Sequence, residues 1–216
     1  MSKMHTETIV CPECGEKAEF TVWDSINTSL NPELVDKVIT GELFRWSCSK
    51  CGCKMNVNFA TLYHDEERKI MIYYVPGNPE EVIPYMKNAM NQITDGQEAG
   101  KYYKRVVGSP NQLREKLMIM EAGFDDRNIE LMKLFASTRV KLQDKGFELA
   151  EMLFDRAKNG ANYFALRLKN GTWQQMEFDQ ALYQNVAKVF EAYVKNSDAV
   201  SVNFDWAVSI MQRQRR

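Results

Sequence analysis

The sequence predicts an α+β protein in two parts, a small N-terminal β domain and a larger C-terminal domain of helices and strands. All five cysteines fall between Cys11 and Cys53, among short segments with the apolar alternation typical of strands. The next region is rich in proline and glycine, as linkers are. Beyond it, helical apolar spacing alternates with two Asn-Gly pairs, which favour hairpin turns. We therefore divide the chain into a β domain at 1–76, a linker with one helical piece at 77–108 and an α+β domain at 109–216.

The composition is that of an ordinary folded protein and excludes several classes. Of the 216 residues, 44% are hydrophobic and 26% are charged, which excludes a disordered chain, a collagen-like chain and a disulfide miniprotein. The formal net charge of −1 argues against a general binder of polyanions. We find neither a signal-peptide pattern nor an apolar run near the roughly 20 residues of a membrane helix. We therefore expect a cytoplasmic protein without membrane contact, whose clustered cysteines stay reduced.

The N-terminal domain is predicted as short strands around two cysteine pairs. Apolar residues alternate or run together at about Phe20–Val22, Met55–Phe59 and Ile70–Val75. Between the pairs, Asn31 as a cap, Pro32 at the first position and Gly41 as a terminator predict a short helix. The polar segment His64–Glu67 is predicted as the turn into the last of these strands.

The linker and the start of the C-terminal domain are predicted to be helical. One helical piece is expected at about Glu80–Ile93 inside the linker. Ser109 followed by proline marks the start of a second helix, which Gly123 ends. Asp125 or Asp126 is then placed to cap a third helix.

The rest of the C-terminal domain is predicted as a meander followed by helical segments. Asn159-Gly160 and Asn170-Gly171 each separate β-prone segments, so residues 150–178 are expected to form three antiparallel strands joined by tight turns. Asp179 opens an amphipathic helix that continues to Tyr193. Val200–Met211 forms a final strand or helix.

Two C-x-x-C-G units, Cys11–Gly15 and Cys48–Gly52, carry the strongest chemical signal in the sequence. Two residues between the cysteines allow a tight turn to aim both thiolates at one point, and the following glycine permits the left-handed conformation that closes the turn. Two such turns, brought together across a small sheet, offer four thiolates in a tetrahedron. We therefore predict a zinc-ribbon-like domain in which one zinc ion is bound by Cys11, Cys14, Cys48 and Cys51.

The predicted site is structural, because four thiolates leave no coordination position for water or substrate. Iron is the alternative metal, since four thiolates in such turns also suit an iron centre. The fifth cysteine, Cys53, is interpreted as a small buried apolar side chain and not as a ligand.

Further segments around the cysteine pairs extend this pattern. They are Trp23–Asn27, Gly41–Phe44 and Leu62–Asp65. Together with Cys11–Gly15 and Cys48–Cys51, they resemble the CpXC protein family over residues 1–76, and shorter similarities follow at Leu113–Lys116 and Asp125–Arg127. The resemblance implies zinc binding through the four cysteines of the two pairs. It implies no particular reaction.

Histidine chemistry is limited, because His5 and His64 are the only histidines. His64 is interpreted as a turn residue bonded to local backbone. The other interpretation is that His64 and Asp65 form an orienting pair in an enzyme site between the domains.

Two functions remain open from the sequence. The favoured one is a non-enzymatic interaction module with an unknown protein partner. Nucleic acid is a weaker candidate partner, because cations occur at Tyr102–Arg105 and at Arg213, Arg215 and Arg216 but the net charge is close to zero. The alternative is an enzyme with a structural zinc ion and a separate interdomain site near His64 and Asp65.

Overall fold

The structure, a computed structural model, describes residues 2–93, 101–143 and 148–214. The chain divides into two compact units, residues 1–114 and 115–216. Each unit contains both helices and strands, and the described residues form three sheets. The α+β class predicted from the sequence is therefore confirmed.

The first unit contains a five-stranded sheet and a two-stranded sheet. Their strands are β1 (Lys3–Val10), β2 (Lys17–Asn27), β3 (Arg45–Ser47), β4 (Lys54–Asn56), β5 (Thr61–Asp65), β6 (Ile70–Tyr74) and β7 (Tyr103–Val107). The larger sheet has the order β1-β2-β5-β6-β7, and β3 pairs with β4 in the smaller one. The pairs β1–β2, β3–β4 and β5–β6 are antiparallel, whereas β2–β5 and β6–β7 are parallel.

The core of the first unit lies on the central strands. Tyr63 of β5 and Ile72 of β6 have no exposed surface, and Tyr74 is also buried. The ring of Phe44 packs against Tyr74 at a centroid distance of 5.4 Å and against Phe59 at 5.1 Å. In contrast, β1 at the sheet edge is exposed along almost its whole length.

A helix, α1 (Glu33–Thr40), lies between the two cysteine pairs, as the sequence predicts. Gly41 ends it in a left-handed conformation with φ of 72°, and Leu34 and Val38 are its buried residues. The predicted capping role of Asn31 is wrong. Its side-chain amide donates to Glu33 Oε1 at 2.9 Å and caps no backbone amide, because Pro32 occupies the capping position.

The segment 77–108 contains a helix, as predicted, and also a strand that the sequence did not predict. The helix α2 spans Ile83–Ile93 and follows a single 3₁₀ turn at Pro79–Glu81. The strand β7 pairs in parallel with β6. This strand is buried although it contains two charged residues, because Lys104 is only 9% exposed and Arg105 only 7%. Charged residues at buried positions conceal the apolar pattern on which strand prediction depends.

The second unit begins within α3 (Pro110–Glu121), at residue 115. Its other elements are α4 (Asp126–Gln143), β8 (Leu149–Arg156), β9 (Asn162–Leu168), β10 (Trp173–Glu177), α5 (Gln180–Val189), α6 (Glu191–Lys195) and α7 (Phe204–Gln214). The three strands form an antiparallel sheet in the order β10-β9-β8, which confirms the predicted meander. The last predicted segment is a helix.

The two Asn-Gly turns of the meander differ in detail from the tight turns expected. Only the glycines take positive φ values, 85° at both Gly160 and Gly171. The asparagines instead use their side chains: Asn159 Oδ1 accepts from the N–H of Ala161, and Asn170 Oδ1 accepts from the N–H two residues on, each at 3.0 Å. A left-handed glycine after a right-handed turn is typical of the longer hairpin loops.

A helical cluster forms one part of the core of the second unit. It contains Leu131, Val186, Phe190, Val194, Ala207 and Ile210, all at most 6% exposed. Asp179 begins α5 as predicted, since its Oδ1 accepts from the N–H of Leu182 at 2.9 Å. The predicted single helix to Tyr193 is divided at Phe190, where ψ is 10°. In the part of the chain that the structure describes, no helix combines the length and apolar character needed to span a bilayer.

Candidate metal centre

Four cysteine sulfurs converge in the first unit. The Sγ atoms of Cys11, Cys14, Cys48 and Cys51 all lie within 4.8 Å of one another. The Sγ atoms of Cys11 and Cys51 are 3.6 Å apart, and so are those of Cys14 and Cys48. Four sulfurs bound tetrahedrally to zinc at ~2.3 Å would be about 3.8 Å apart. The four side chains therefore have the spacing of a tetrahedral thiolate site and could hold a metal ion.

Each cysteine pair lies at the tip of a β-hairpin. The first turn joins β1 to β2, and the second joins β3 to β4. The short strands on either side of the second turn cover only Arg45–Ser47 and Lys54–Asn56. Two hairpin tips that face each other through four sulfurs are consistent with the zinc-ribbon-like domain predicted from the sequence.

The two turns are closed by the same backbone hydrogen bonds. In the first, the N–H of Cys11 donates to the carbonyl oxygen of Glu16 at 2.8 Å, and in the second the N–H of Cys48 donates to that of Cys53 at 2.8 Å. In each turn, the N–H of the glycine donates to the carbonyl oxygen of the first cysteine, at 3.0 Å in the first turn and 2.9 Å in the second. Two copies of one turn therefore hold the sulfurs.

The glycines of the two turns are required by backbone conformation. Gly15 has φ of 70° and Gly52 has φ of 75°, in the left-handed region that other residues rarely adopt. A Cβ at either position would have no heavy atom within 4 Å, so the constraint comes from φ and not from crowding. The C-x-x-C-G spacing thus encodes the turn directly.

Cys53 has a structural part in the second turn although it lies outside the group of four sulfurs. Its backbone N–H bonds to the sulfur of Cys51, as the N–H of Glu16 bonds to the sulfur of Cys14. Its side chain is half-buried and not buried as the sequence predicts. Glutamate occupies the equivalent position in the first turn, which indicates that this role depends on the backbone.

The thiols of Cys11 and Cys51 have different pKa values. Burial acts to raise the pKa of Cys11, but the backbone N–H groups of Cys14 and Glu13 outweigh it and lower that pKa to about 6. A backbone hydrogen bond from Cys53 acts to lower the pKa of Cys51, but the neighbouring sulfurs, that of Cys14 first, and burial raise it to about 12. A bound cation would therefore displace protons as it collects four thiolates.

His64 and Asp65 do not form a pair. Both lie in β5 and not in a turn, and neighbouring residues of a strand face opposite sides of the sheet. His64 Nε2 lies 3.2 Å from the hydroxyl oxygen of Tyr102, and burial lowers the pKa of its imidazole. Asp65 Oδ2 accepts from Arg68 Nε at 2.7 Å, and its Oδ1 accepts from the N–H of Arg68 at 2.9 Å.

The basic residues that suggested nucleic acid are largely unsuited to it. Lys104 and Arg105 are buried in β7, and the Arg105 guanidinium lies 4.3 Å from the ring centroid of Tyr103. Arg213 is exposed on α7. Arg215 and Arg216 lie outside the described residues. Among the described cations of these two segments, Arg213 alone is exposed.

A network of five buried charges in the second unit was not predicted from the sequence. It contains Glu115 and Lys116 of α3 with Asp126, Glu130 and Lys133 of α4, each with a side chain at most 6% exposed. Lys116 Nζ lies 3.0 Å from both Asp126 Oδ2 and Glu130 Oε1. Lys133 Nζ lies 2.5 Å from Glu115 Oε1 and 3.1 Å from Glu130 Oε1. The sequence carries one signal of this burial. Apolar residues occur on every side of α3, and this pattern is typical of a helix that is buried all round.

Comparison with known protein families matches residues 9–133 to the CpXC protein family. The matched region begins before the first cysteine turn, contains the second and continues into α4 as far as Lys133. No curated protein and no solved structure matches the chain.

Proposed function

The chain belongs to the CpXC protein family, and we propose that it is a non-enzymatic interaction module whose first unit is stabilised by a structural zinc ion. The proposal rests on the four cysteine sulfurs that lie within 4.8 Å of one another. In it, Cys11, Cys14, Cys48 and Cys51 are the zinc ligands. Four thiolates complete a tetrahedral coordination sphere, so the ion binds no water for catalysis.

In this proposal the metal stabilises the fold by joining the two cysteine turns. The β3–β4 hairpin has three residues in each strand, and isolated two-stranded hairpins are at best marginally stable in water. Zinc binding contributes an apparent ~10–16 kcal/mol in zinc-finger peptides, which is ample to hold two hairpin tips together. Free thiols persist in a reducing compartment, and we propose the cytoplasm.

The edge strand β1 supports an interaction role. Among the described residues it has a hydrogen-bonded neighbour on one side only, and its side chains are exposed on both faces. Met4 and Val10 are apolar and are 59% and 53% exposed. An exposed edge strand can accept an extended segment of another protein through its free backbone groups. We propose that a protein partner adds a strand to β1.

The metal is tested by elemental analysis of the purified full-length chain. We expect about one zinc per chain and no iron. Replacement of zinc by cobalt should give the visible absorption of a four-thiolate site. Cys11→Ser and Cys48→Ser should lose the metal, whereas the matched variant Cys53→Ala should retain it. Iron in the native protein, or full zinc content in both serine variants, would contradict the assignment.

The interaction surface is tested by affinity capture with the immobilised full-length chain. A partner that adds a strand to β1 should be lost from Met4→Glu and Val10→Lys. The control is Leu30→Glu, because Leu30 is equally exposed at 59% and lies outside β1. Capture that all three substitutions leave unchanged would exclude β1 as the binding surface. Turnover of compounds from a substrate panel by the purified protein would instead favour an enzyme.

A further inference from the structure

A hollow of about 340 Å³ opens in the second unit, between α6, the segment 196–199 and α7. Its lining includes the half-buried rings of Tyr193 and Trp206 and the buried side chain of Ile210. Arg213 extends the lining on α7. This volume lies at the lower end of the range of sites that bind small molecules.

Two cations hold the segment 196–199, which forms one wall of this hollow. Arg127 is half-buried and Lys116 is buried. Arg127 Nη1 donates to the carbonyl oxygens of Val194 at 2.8 Å and Ser197 at 3.4 Å, which holds the turn after α6. Lys116 Nζ, from the buried network, donates to the carbonyl oxygen of Val202 at 2.7 Å. The segment that forms the wall is therefore attached at both ends. A preformed wall lowers the ordering cost of binding a ligand.

The chemistry of the lining favours a flat ligand with one negative charge. Both rings pack on the apolar core of the second unit, so each is held in position. Within the described part of the chain, Arg213 forms no ion pair. Its guanidinium can bind a carboxylate through two parallel hydrogen bonds. Asp198 also lines the hollow, and its carboxylate disfavours a second negative charge on the ligand.

We propose that the second unit binds a small planar monocarboxylate in this hollow, with the ring against Tyr193 and Trp206 and the carboxylate on Arg213. Aromatic rings stack or meet edge to face with a gain beyond their buried area. The proposal is independent of the metal site, whose residues all lie in the first unit. A monocarboxylate satisfies Arg213 without the additional charge that a phosphate monoester carries.

The test is calorimetric titration of the full-length chain with benzoate, indole-3-acetate, neutral indole and adenosine monophosphate. We expect saturable binding of a carboxylate, and binding of indole and of the nucleotide at least about tenfold weaker. Arg213→Gln should weaken carboxylate binding about tenfold or more. The matched control Lys188→Gln removes one exposed positive charge from α5, outside the lining, and should leave the affinity unchanged.

The location is tested by NMR, through the indole N–H signal of Trp206. Carboxylate addition should shift this signal in the native protein and in Lys188→Gln but not in Arg213→Gln. The proposal is overturned if neither carboxylate binds at about 10 mM, where even weak small-molecule sites fill. It is also overturned if the nucleotide binds more tightly than both carboxylates, if Arg213→Gln binds normally, or if only the signal of Trp173 moves.

Discussion

The carbonyl oxygen of Cys53 accepts a hydrogen bond from the N–H of Cys48 at 2.8 Å and thereby closes the second cysteine turn. The same residue donates its N–H to the sulfur of Cys51. Cys53 makes both bonds with backbone atoms and neither with its own side chain. The residue that looks like a surplus ligand in the sequence is therefore a structural member of the turn.

We predict different results for two substitutions at this position. Cys53→Ala keeps both backbone bonds and should retain one metal ion per chain. Cys53→Pro removes the N–H that bonds to Cys51, and the loss of one such bond to a ligand should lower metal affinity about tenfold. Competition with a chromophoric chelator measures both affinities. Equal affinities for the two variants would contradict a backbone role.

Substitution of either turn glycine should weaken the metal site. Gly15→Ala and Gly52→Ala force a residue with a Cβ into φ of 70° and 75°, which costs about 1–2 kcal/mol. Asparagine tolerates this conformation better, so Gly52→Asn should lie between native protein and Gly52→Ala. Chelator competition and thermal unfolding of the metal-bound chain provide the measurements. An alanine variant as stable as the native chain would show that the left-handed turn is dispensable.

Metal removal should act on the first unit. Chelation should abolish amide protection from hydrogen exchange around both cysteine turns and in β3 and β4, because in the proposed function the metal joins the two turns and a hairpin of three-residue strands is marginally stable without it. The meander β8–β10 of the second unit should keep its protection and serves as the internal control. Unchanged protection near Cys48 after complete removal of the metal would contradict a structural role.

The buried charge network should be sensitive to loss of one lysine. Lys116→Met leaves Asp126 buried without the cation at 3.0 Å, and breaking a buried ion pair in this way costs about 3–5 kcal/mol. The free energy of unfolding from denaturant titration tests this expectation. The control is Lys195→Met, because Lys195 forms an exposed pair with Glu191 and such pairs contribute about 0–1 kcal/mol. Similar losses for the two variants would contradict the importance of burial.

Acid should affect this network through Glu130. Burial acts to raise the pKa of Glu130, but Lys116 and Lys133 outweigh it and hold the pKa below the usual value of 4.5. A lowered pKa in the folded state means that the charged group stabilises the fold above pH 4.5 and that this contribution disappears as the pH falls through the folded pKa. The stability difference between the native chain and Glu130→Gln should therefore be largest above pH 4.5 and shrink in acid.

Glu115 provides the contrast for that measurement. Burial raises its pKa despite the nearby lysines, so its neutral form is favoured at a higher pH than that of Glu130. For a carboxyl whose folded pKa is raised, the titration stabilises the fold at low pH and this contribution is lost as the pH rises. The cost of Glu115→Gln should therefore be largest in acid and fall as the pH rises, opposite in direction to the cost of Glu130→Gln. Denaturant titrations from pH 3 to 7 compare the two, and the same direction of change in both variants would contradict the prediction.

The sequence predicted local features well because their causes lie in a few adjacent residues. The spacing of Cys11 and Cys14 with the following glycine encodes one turn, and the Asn-Gly pairs mark the meander. The approach of the two cysteine turns could also be inferred, because four thiolates of this kind have a common use. These predictions required no knowledge of distant contacts.

Other features could not be predicted because they depend on residues far away in the chain. Lys104 and Arg105 read as solvent-exposed until β7 is placed beside β6. Lys116 reads as an ordinary surface residue of a helix until α4 supplies Asp126 and Glu130. The hollow in the second unit likewise forms only when α7 approaches α6. Apolar periodicity therefore fails to predict burial where the buried residues are charged.

The hydrogen bond from Lys116 to the carbonyl of Val202 spans 86 residues, and this separation bears on the order of events during synthesis. The four-cysteine cluster has all its members once Cys51 has left the ribosome. The buried ammonium of Lys116 gains the carbonyl oxygen of Val202 only when residue 202 has also left the ribosome. In a nascent chain, Lys116 therefore lacks this acceptor long after all four clustered cysteines have been made.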